Sequence, residues 1–176
     1  MKELIVYFCD NTVSIIYNTR VISQKLDSIY QGLVVDRIKF IESFMQILKK
    51  EKIKTKLFGD KIYIVKDAYF NQRDQFYLEN IFLELGFVQV LFLDIHKLFD
   101  ANYTYIGIFQ DYIVFYLDKP VFLELYYFKD IPKLLNYFKE YFASYIVLFG
   151  SNKNIPYINN LSFNIYYIDN YKDYIV

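Results

Sequence analysis

Two aspartates sit in the turns of short apolar hairpins, Asp10 in Cys9-Asp10-Asn11 and Asp111 in Phe109-Gln110-Asp111. Brought together, two carboxylates could hold a metal or share acid and base work. Kept apart, each is an ordinary turn residue, because Asp bonds its own main chain and tolerates left-handed backbone; the turn reading is preferred. The chain holds one histidine, His96, and one cysteine, Cys9. Any Ser-His-Asp or Cys-His set would have to use His96, and a two-histidine metal site cannot be built. Cys9 allows no internal disulfide and no multi-cysteine metal site; in a β-rich hairpin it reads as a small buried hydrophobe. His96 stands at a strand exit after Asp94 and reads as a surface or capping residue. Gly150-Ser151-Asn152 either turns the chain or cradles an anion at a helix start. Lys49-Lys50-Glu51-Lys52, with Lys54 and Lys56, is either a solvated helix end or a patch for acidic lipid or a partner. The inventory supplies no catalytic set, so the expectation is a protein that is not an enzyme, with no metal and no cofactor.

These residues need a scaffold, and the composition sets its class. A chain of 176 residues suits one domain or two small lobes. With 55% hydrophobic and 23% charged residues it is not disordered. Twenty basic residues balance twenty acidic ones, so nucleic acid is not an expected partner. Twenty Tyr and eighteen Phe imply a large core and a sticky surface. The apolar run Leu4–Phe8 is too short for a signal-peptide core, and no stretch approaches the roughly 18 apolar residues of a membrane span. The expected location is the cytoplasm, with the inner face of the cell membrane reached through a partner.

Periodicity predicts the elements. Residues 4–8 and 12–17 read as a hairpin, with a third strand near 20–26. Gly32 breaks the chain. Ile38, Ile41, Met45 and Leu48, joined by Phe40, Phe44 and Ile47, predict a helix led in by Asp36 and ended by Lys49-Lys50. A buried strand at 61–65 follows. Next come a helix over 72–85, with Tyr77, Ile81 and Leu85 in a row and Gly86 as its stop, and a strand at 88–93. The pattern then restarts: strands at 103–109, 112–117 and 121–128, and a helix over 130–143. Asp130 should cap that helix, and Leu134, Leu135, Phe138, Tyr141 and Phe142 should form its core face. A strand at 145–149, a turn or short helix at 153–160 and a strand at 164–168 finish the series. The order β-β-β-α-β-α-β appears twice, the mark of an internal duplication.

That doubled order is the plan of the actin-like ATPases of the actin–HSP70–sugar kinase superfamily. Several segments resemble the bacterial actin MreB and its relatives FtsA and PilM. Thr12-Val13-Ser14-Ile15-Ile16-Tyr17 resembles the first phosphate hairpin of that family. Gly32-Leu33-Val34-Val35-Asp36 resembles the Gly-x-x-x-Asp that leads into its first helix. Leu85-Gly86-Phe87 and the strand after it resemble the segment ahead of its interdomain crossing. Tyr105-Ile106-Gly107-Ile108 with Tyr112–Tyr116 resembles the second phosphate hairpin. Tyr145–Phe149 with Gly150-Ser151-Asn152 resembles the strand and loop that hold adenosine.

The resemblance implies an α/β chain of two RNase H-like lobes with mixed five-stranded sheets, covering residues 1–98 and 99–176, with the family's outer subdomains absent. It also implies losses. The family's metal-organising aspartates align with Phe8 and Gly107, the first phosphate glycine aligns with Asp10, and only Gly150 survives of the adenosine-loop glycines. Phosphate cradles need close backbone approach, which Phe, Gln and Asp obstruct. Asp10, Asn11, Gly107, Asp111, Gly150 and Ser151 are thus expected as vestiges of nucleotide-facing loops. The implied function is a non-catalytic scaffold or adaptor in a cell-shape, division, pilus or secretion assembly. The alternatives are an actin-like protein that still binds nucleotide and polymerises, and an unrelated α/β domain. A protein partner or self-association is expected through aromatic residues of the second half, with Tyr112, Tyr116 and Tyr126 as candidates. Strand 112–117 alternates Tyr112, Val114 and Tyr116 with Ile113, Phe115 and Leu117, so both of its faces are apolar.

Overall fold

The structure, a computed structural model, describes residues 4–18, 20–53, 60–66, 70–100, 102–109, 111–117, 119–124, 130–143, 145–150 and 164–167. The chain divides into two compact units, Met1–Ile95 and His96–Val176.

In the first unit, β1 (Leu4–Cys9), β2 (Thr12–Tyr17) and β3 (Arg20–Lys25) form an antiparallel meander. Asp10 closes the first turn in the left-handed region at φ +50°, a conformation that Asp accepts better than most residues. A small hairpin, β4 (Ile29–Tyr30) and β5 (Leu33–Val34), turns on Gln31 and Gly32 at φ +49° and +74°. Two successive positive φ values are the type I′ geometry that suits the twist of paired strands. Then come α1 (Arg37–Lys50), β6 (Lys61–Lys66), α2 (Gln72–Glu84) and β7 (Gln89–Asp94). The sheet order is β3-β2-β1-β6-β7, with β1, β6 and β7 parallel.

Both helices start on side-chain caps. Asp36 accepts from the Lys39 amide at 3.1 Å. Asn71 and Asp74 form a reciprocal capping box on α2. Gly86, at φ +93°, follows the end of α2 as its sequence position predicts. The core lies between one face of the sheet and these helices. Phe8 meets Phe40 at 5.8 Å, and Phe82 stands edge-on to both Phe40 and Phe44, at 6.0 and 5.3 Å. The row of α1 that faces the sheet is Phe40, Phe44, Ile47 and Leu48. Ile38 and Met45, expected in that row, are exposed, because the bulky phenyl rings win the inner face. Tyr77 sits at the exposed margin of α2, where Leu78, Ile81 and Phe82 are buried.

The second unit repeats the plan with β8 (Tyr103–Ile108), β9 (Tyr112–Tyr116), β10 (Val121–Glu124), α3 (Ile131–Phe138), β11 (Tyr145–Phe149) and β12 (Asn164–Tyr167). Its order, β10-β9-β8-β11-β12, matches the first sheet position for position, with β8, β11 and β12 parallel. The element expected at 153–160 and the stretch 125–128 lie outside the described residues. The helix expected over 130–143 ends at Phe138 and continues as a 3-10 turn, Lys139–Tyr141. With about three residues per turn, that segment rotates Tyr141 off the row of Leu135 and Phe138, and it is exposed instead of core. Asp130 makes no capping bond, since its backbone is already near-helical (φ −86°, ψ −13°); it pairs with Lys133 at 3.6 Å. The 3-10 turn ends at Tyr141 and β11 begins at Tyr145, so no outer subdomain is inserted there. Among the described residues no helix is long and apolar enough to cross a membrane.

The contact of Phe82 with both rings of α1 predicts a large cost for Phe82→Ala, about 3–5 kcal/mol, against about 1 kcal/mol for the cap change Asn71→Ala. Urea denaturation measures both. Equal costs would mean that the ring contacts do not carry the first unit.

Candidate functional site

The tip of the first hairpin is tied down by its carbonyls. Asp10 O accepts from the Gly32 amide and Asn11 O from the Leu26 amide, each at 2.7 Å. Both side chains are half-buried. A phosphate cradle presents N–H groups; this turn turns two carbonyl oxygens to a neighbouring loop. Phe8 is fully buried on the helix-facing side of the sheet.

The second hairpin is built differently. Gly107 lies in β8 between Val114 of β9 and Phe149 of β11. A Cβ here would stand 2.7 Å from Phe109 Cε2 and 3.0 Å from Phe149 Cζ. The space over Gly107 is therefore filled by two phenyl rings, themselves 5.9 Å apart and near-perpendicular. Phe109 stacks on Tyr112 at 4.4 Å, and Phe149 lies 5.7 Å from Tyr116. Phe99 stacks on Tyr105 at 3.9 Å and meets Tyr116 edge-on at 5.0 Å. Gly150 follows Phe149 at φ +99°, and a Cβ there would be 2.3 Å from Ile108 O. Gly107, Asp111 and Gly150 thus come together at one end of the second sheet, around an aromatic filling. Ser151 lies outside the described residues.

Register shows one further difference. Tyr7 pairs with Ser14, and Gly107 pairs with the corresponding Val114. Tyr7, not Phe8, is the counterpart of Gly107, so the two positions aligned with the lost aspartates face opposite sides of their sheets. Asp10 and Asp111 belong to different units, and neither unit forms a carboxylate pair from them. Among the described residues no three His, Cys, Asp or Glu side chains are grouped to hold a metal. Cys9 is buried, Lys49, Lys50 and Lys52 are exposed, and Lys54, Lys56 and the His96 side chain lie outside the described residues.

The interaction candidates need correction. Strand β9 alternates as expected, with Ile113 and Phe115 in the core under α3. Its other face is not open. Tyr112 is 0% and Tyr116 6% exposed, because Phe109 and Phe122 flank the first and Phe99 and Phe149 the second. Tyr126 lies outside the described residues. Among the described residues of this unit the most exposed aromatics are Tyr137, 74%, and Tyr141, 69%, on the helical segment, with Tyr145 of β11 also exposed. Tyr105 is buried, and its hydroxyl accepts from the Asp100 amide at 3.2 Å. Burial pushes its phenol above the usual value of 10.0.

No protein-family model matches the sequence, and no curated protein matches it either. Among solved structures, MreB5 of Spiroplasma citri bound to AMPPNP superposes with a TM-score of 0.58 at 9% identity, over 77% of this chain and 57% of that one. MreB5 bound to ADP gives 0.55 at 9% identity, over 79% and 57%. A Bacteroides thetaiotaomicron protein with actin-like ATPase fold and unknown function aligns over 98% of this chain and 93% of that one, at 14% identity and a TM-score of 0.48. The chain has the actin-like fold, and it spans little more than half the length of the MreB5 chains.

Two predictions rest on this geometry. Gly107→Ala should cost about 1–3 kcal/mol by overpacking, and Gly107→Asp should cost more by adding a buried carboxylate. Thermal melts measure both, and an unchanged midpoint for Gly107→Ala would show that the rings are not wedged over this residue. The second prediction concerns pH. Because the folded phenol of Tyr105 titrates above 10.0, its stabilisation is complete below that pH and is lost as pH rises through the folded value. Urea midpoints should fall less between neutral and strongly alkaline pH in Tyr105→Phe than in the parent. Equal falls would remove Tyr105 as a cause.

Proposed function

We propose that this chain is an actin-like protein that neither binds nor hydrolyses nucleotide and acts by holding other proteins. The reading takes it as a scaffold or adaptor in a cell-shape, division, pilus or secretion assembly at the inner face of the cell membrane. The observation that carries it is the filling over Gly107. Phe109 and Phe149 occupy the space that a metal-organising carboxylate would need at the position the family resemblance gives it. Supporting it, the first hairpin spends two carbonyls on its own fold, and Asp10 would repel phosphate. A fold kept while its chemical loops are closed leaves surface as the usable feature.

The second reading is an actin-like protein that retains nucleotide and polymerises. It draws on the MreB5 structures, which carry AMPPNP and ADP on this fold, and on Gly150, which keeps a left-handed backbone at the adenosine-loop position.

Titration with ATP and Mg²⁺ separates the two. A ligand at a hundredfold excess over its Kd stabilises by about 2.7 kcal/mol, a shift of several degrees. The scaffold reading expects no shift and no phosphate release. Micromolar binding by calorimetry would overturn it in favour of the second reading.

A further inference from the structure

The second unit carries two adjoining cavities of about 460 and 480 Å³ that share Leu117 and Tyr141 as a common wall. Their chemistry differs. The first is walled by Phe99, Tyr105 and Tyr116 and edged by Asp100 and Glu140, both exposed. None of its described lining residues is cationic. The second is apolar, formed by Val121, Tyr137 and Phe138, with Lys119 as the one charged residue among its described lining residues. Tyr141 stands between them, largely in solvent.

We propose that these cavities form one docking groove for a protein segment that places an arginine in the first and an apolar side chain in the second. A guanidinium is planar and weakly hydrated, stacks on aromatic rings and pairs with carboxylates; aromatic walls with two acidic groups at the rim fit that combination. An apolar anchor fits the second cavity for the reason any apolar group leaves water. A polypeptide is the occupant because two open compartments separated by one ring require two side chains held a fixed distance apart. Tyr137 and Tyr141 have the size and rigidity of interface anchors, and both are already exposed where they could be covered. Lys119, which lines the second cavity and not the first, adds a polarity to the groove, favouring a segment whose acidic end lies away from its arginine. The inference rests on the scaffold reading for its biological sense, but nucleotide titration tests that reading alone, so the two can fail separately.

The test pans a phage-displayed library of random peptides against the full chain. The strongest sequences are then made synthetically and measured by calorimetry. Enrichment of an arginine close to an aliphatic or aromatic residue is expected, with binding that weakens as ionic strength rises. Tyr141→Ala should weaken binding by about tenfold or more, and Glu140→Gln by severalfold. Both side chains are exposed, and an unchanged melting midpoint shows that lost binding is not lost folding. No enrichment, enrichment without a basic residue, or undiminished binding by both variants overturns the proposal. A concentration-dependent dimer that Tyr141→Ala abolishes, seen by light scattering, overturns it in favour of a second copy of the chain as the occupant.

Discussion

The missing side chain at Gly107 is the constraint on which the second unit is built. β8 is hydrogen-bonded on both sides, to β9 and β11, so its backbone cannot retreat from whatever lies above it. With no Cβ in the way, Phe109 from the hairpin and Phe149 from the parallel strand meet over the sheet. Phe109 then carries Tyr112, and Phe149 carries Tyr116. Gly150 answers the same crowding at the strand's end, where its left-handed backbone lets the chain leave past Ile108 without collision. One absent methyl group thus sets the packing of an entire face.

The two units share a topology and solve its opposite face with different chemistry. In the first, Ser14 and Ser23 stand across from each other on β2 and β3 and bond through their hydroxyls at 2.8 Å. In the second, the corresponding pair is Val114 and Phe122. On the helix side both bury mainly aliphatic strand residues, with Phe8 in the first unit and Phe115 in the second, as burial against helices demands. The face away from the helices is thus held by a hydroxyl pair in one unit and by packed rings in the other.

Much of this was legible in the sequence. The meanders, α1 with its Asp36 lead-in, α2 with its glycine stop, and the repeated order all follow from period-two and period-3.6 patterns and from capping and turn chemistry. Other features were not. The hairpin at Ile29–Val34 has strands of two residues, too short for any alternation. The inner face of α1 was ambiguous because nearly all its apolar residues fit one broad stripe, and only packing selected Phe40 and Phe44 over Ile38 and Met45. For Tyr112 and Tyr116, alternation gave the face but not what covers it, since the covering rings come from residues as distant as Phe99 and Phe149. The groove beside Tyr141 depends on a helix that tightens into a 3-10 turn, a change of pitch that Lys139-Glu140-Tyr141 does not announce.

The parallel pairing at the centre of each sheet has a consequence for biosynthesis. Leu4 pairs with Ile62, fifty-eight residues downstream, and Tyr103 with Tyr145, forty-two downstream. The difference in loop-closure entropy between the two is only about 0.3 kcal/mol, so neither unit has a decisive head start. Each hairpin can close while its inner strand still lacks a neighbour. At ribosomal speeds of about 5–20 residues per second, the inner edge of β1 waits roughly 3–12 s for β6 to emerge. During that interval the nascent chain carries a bare apolar strand edge, and Leu4–Cys9 is where aggregation would begin and where a holding chaperone would be needed.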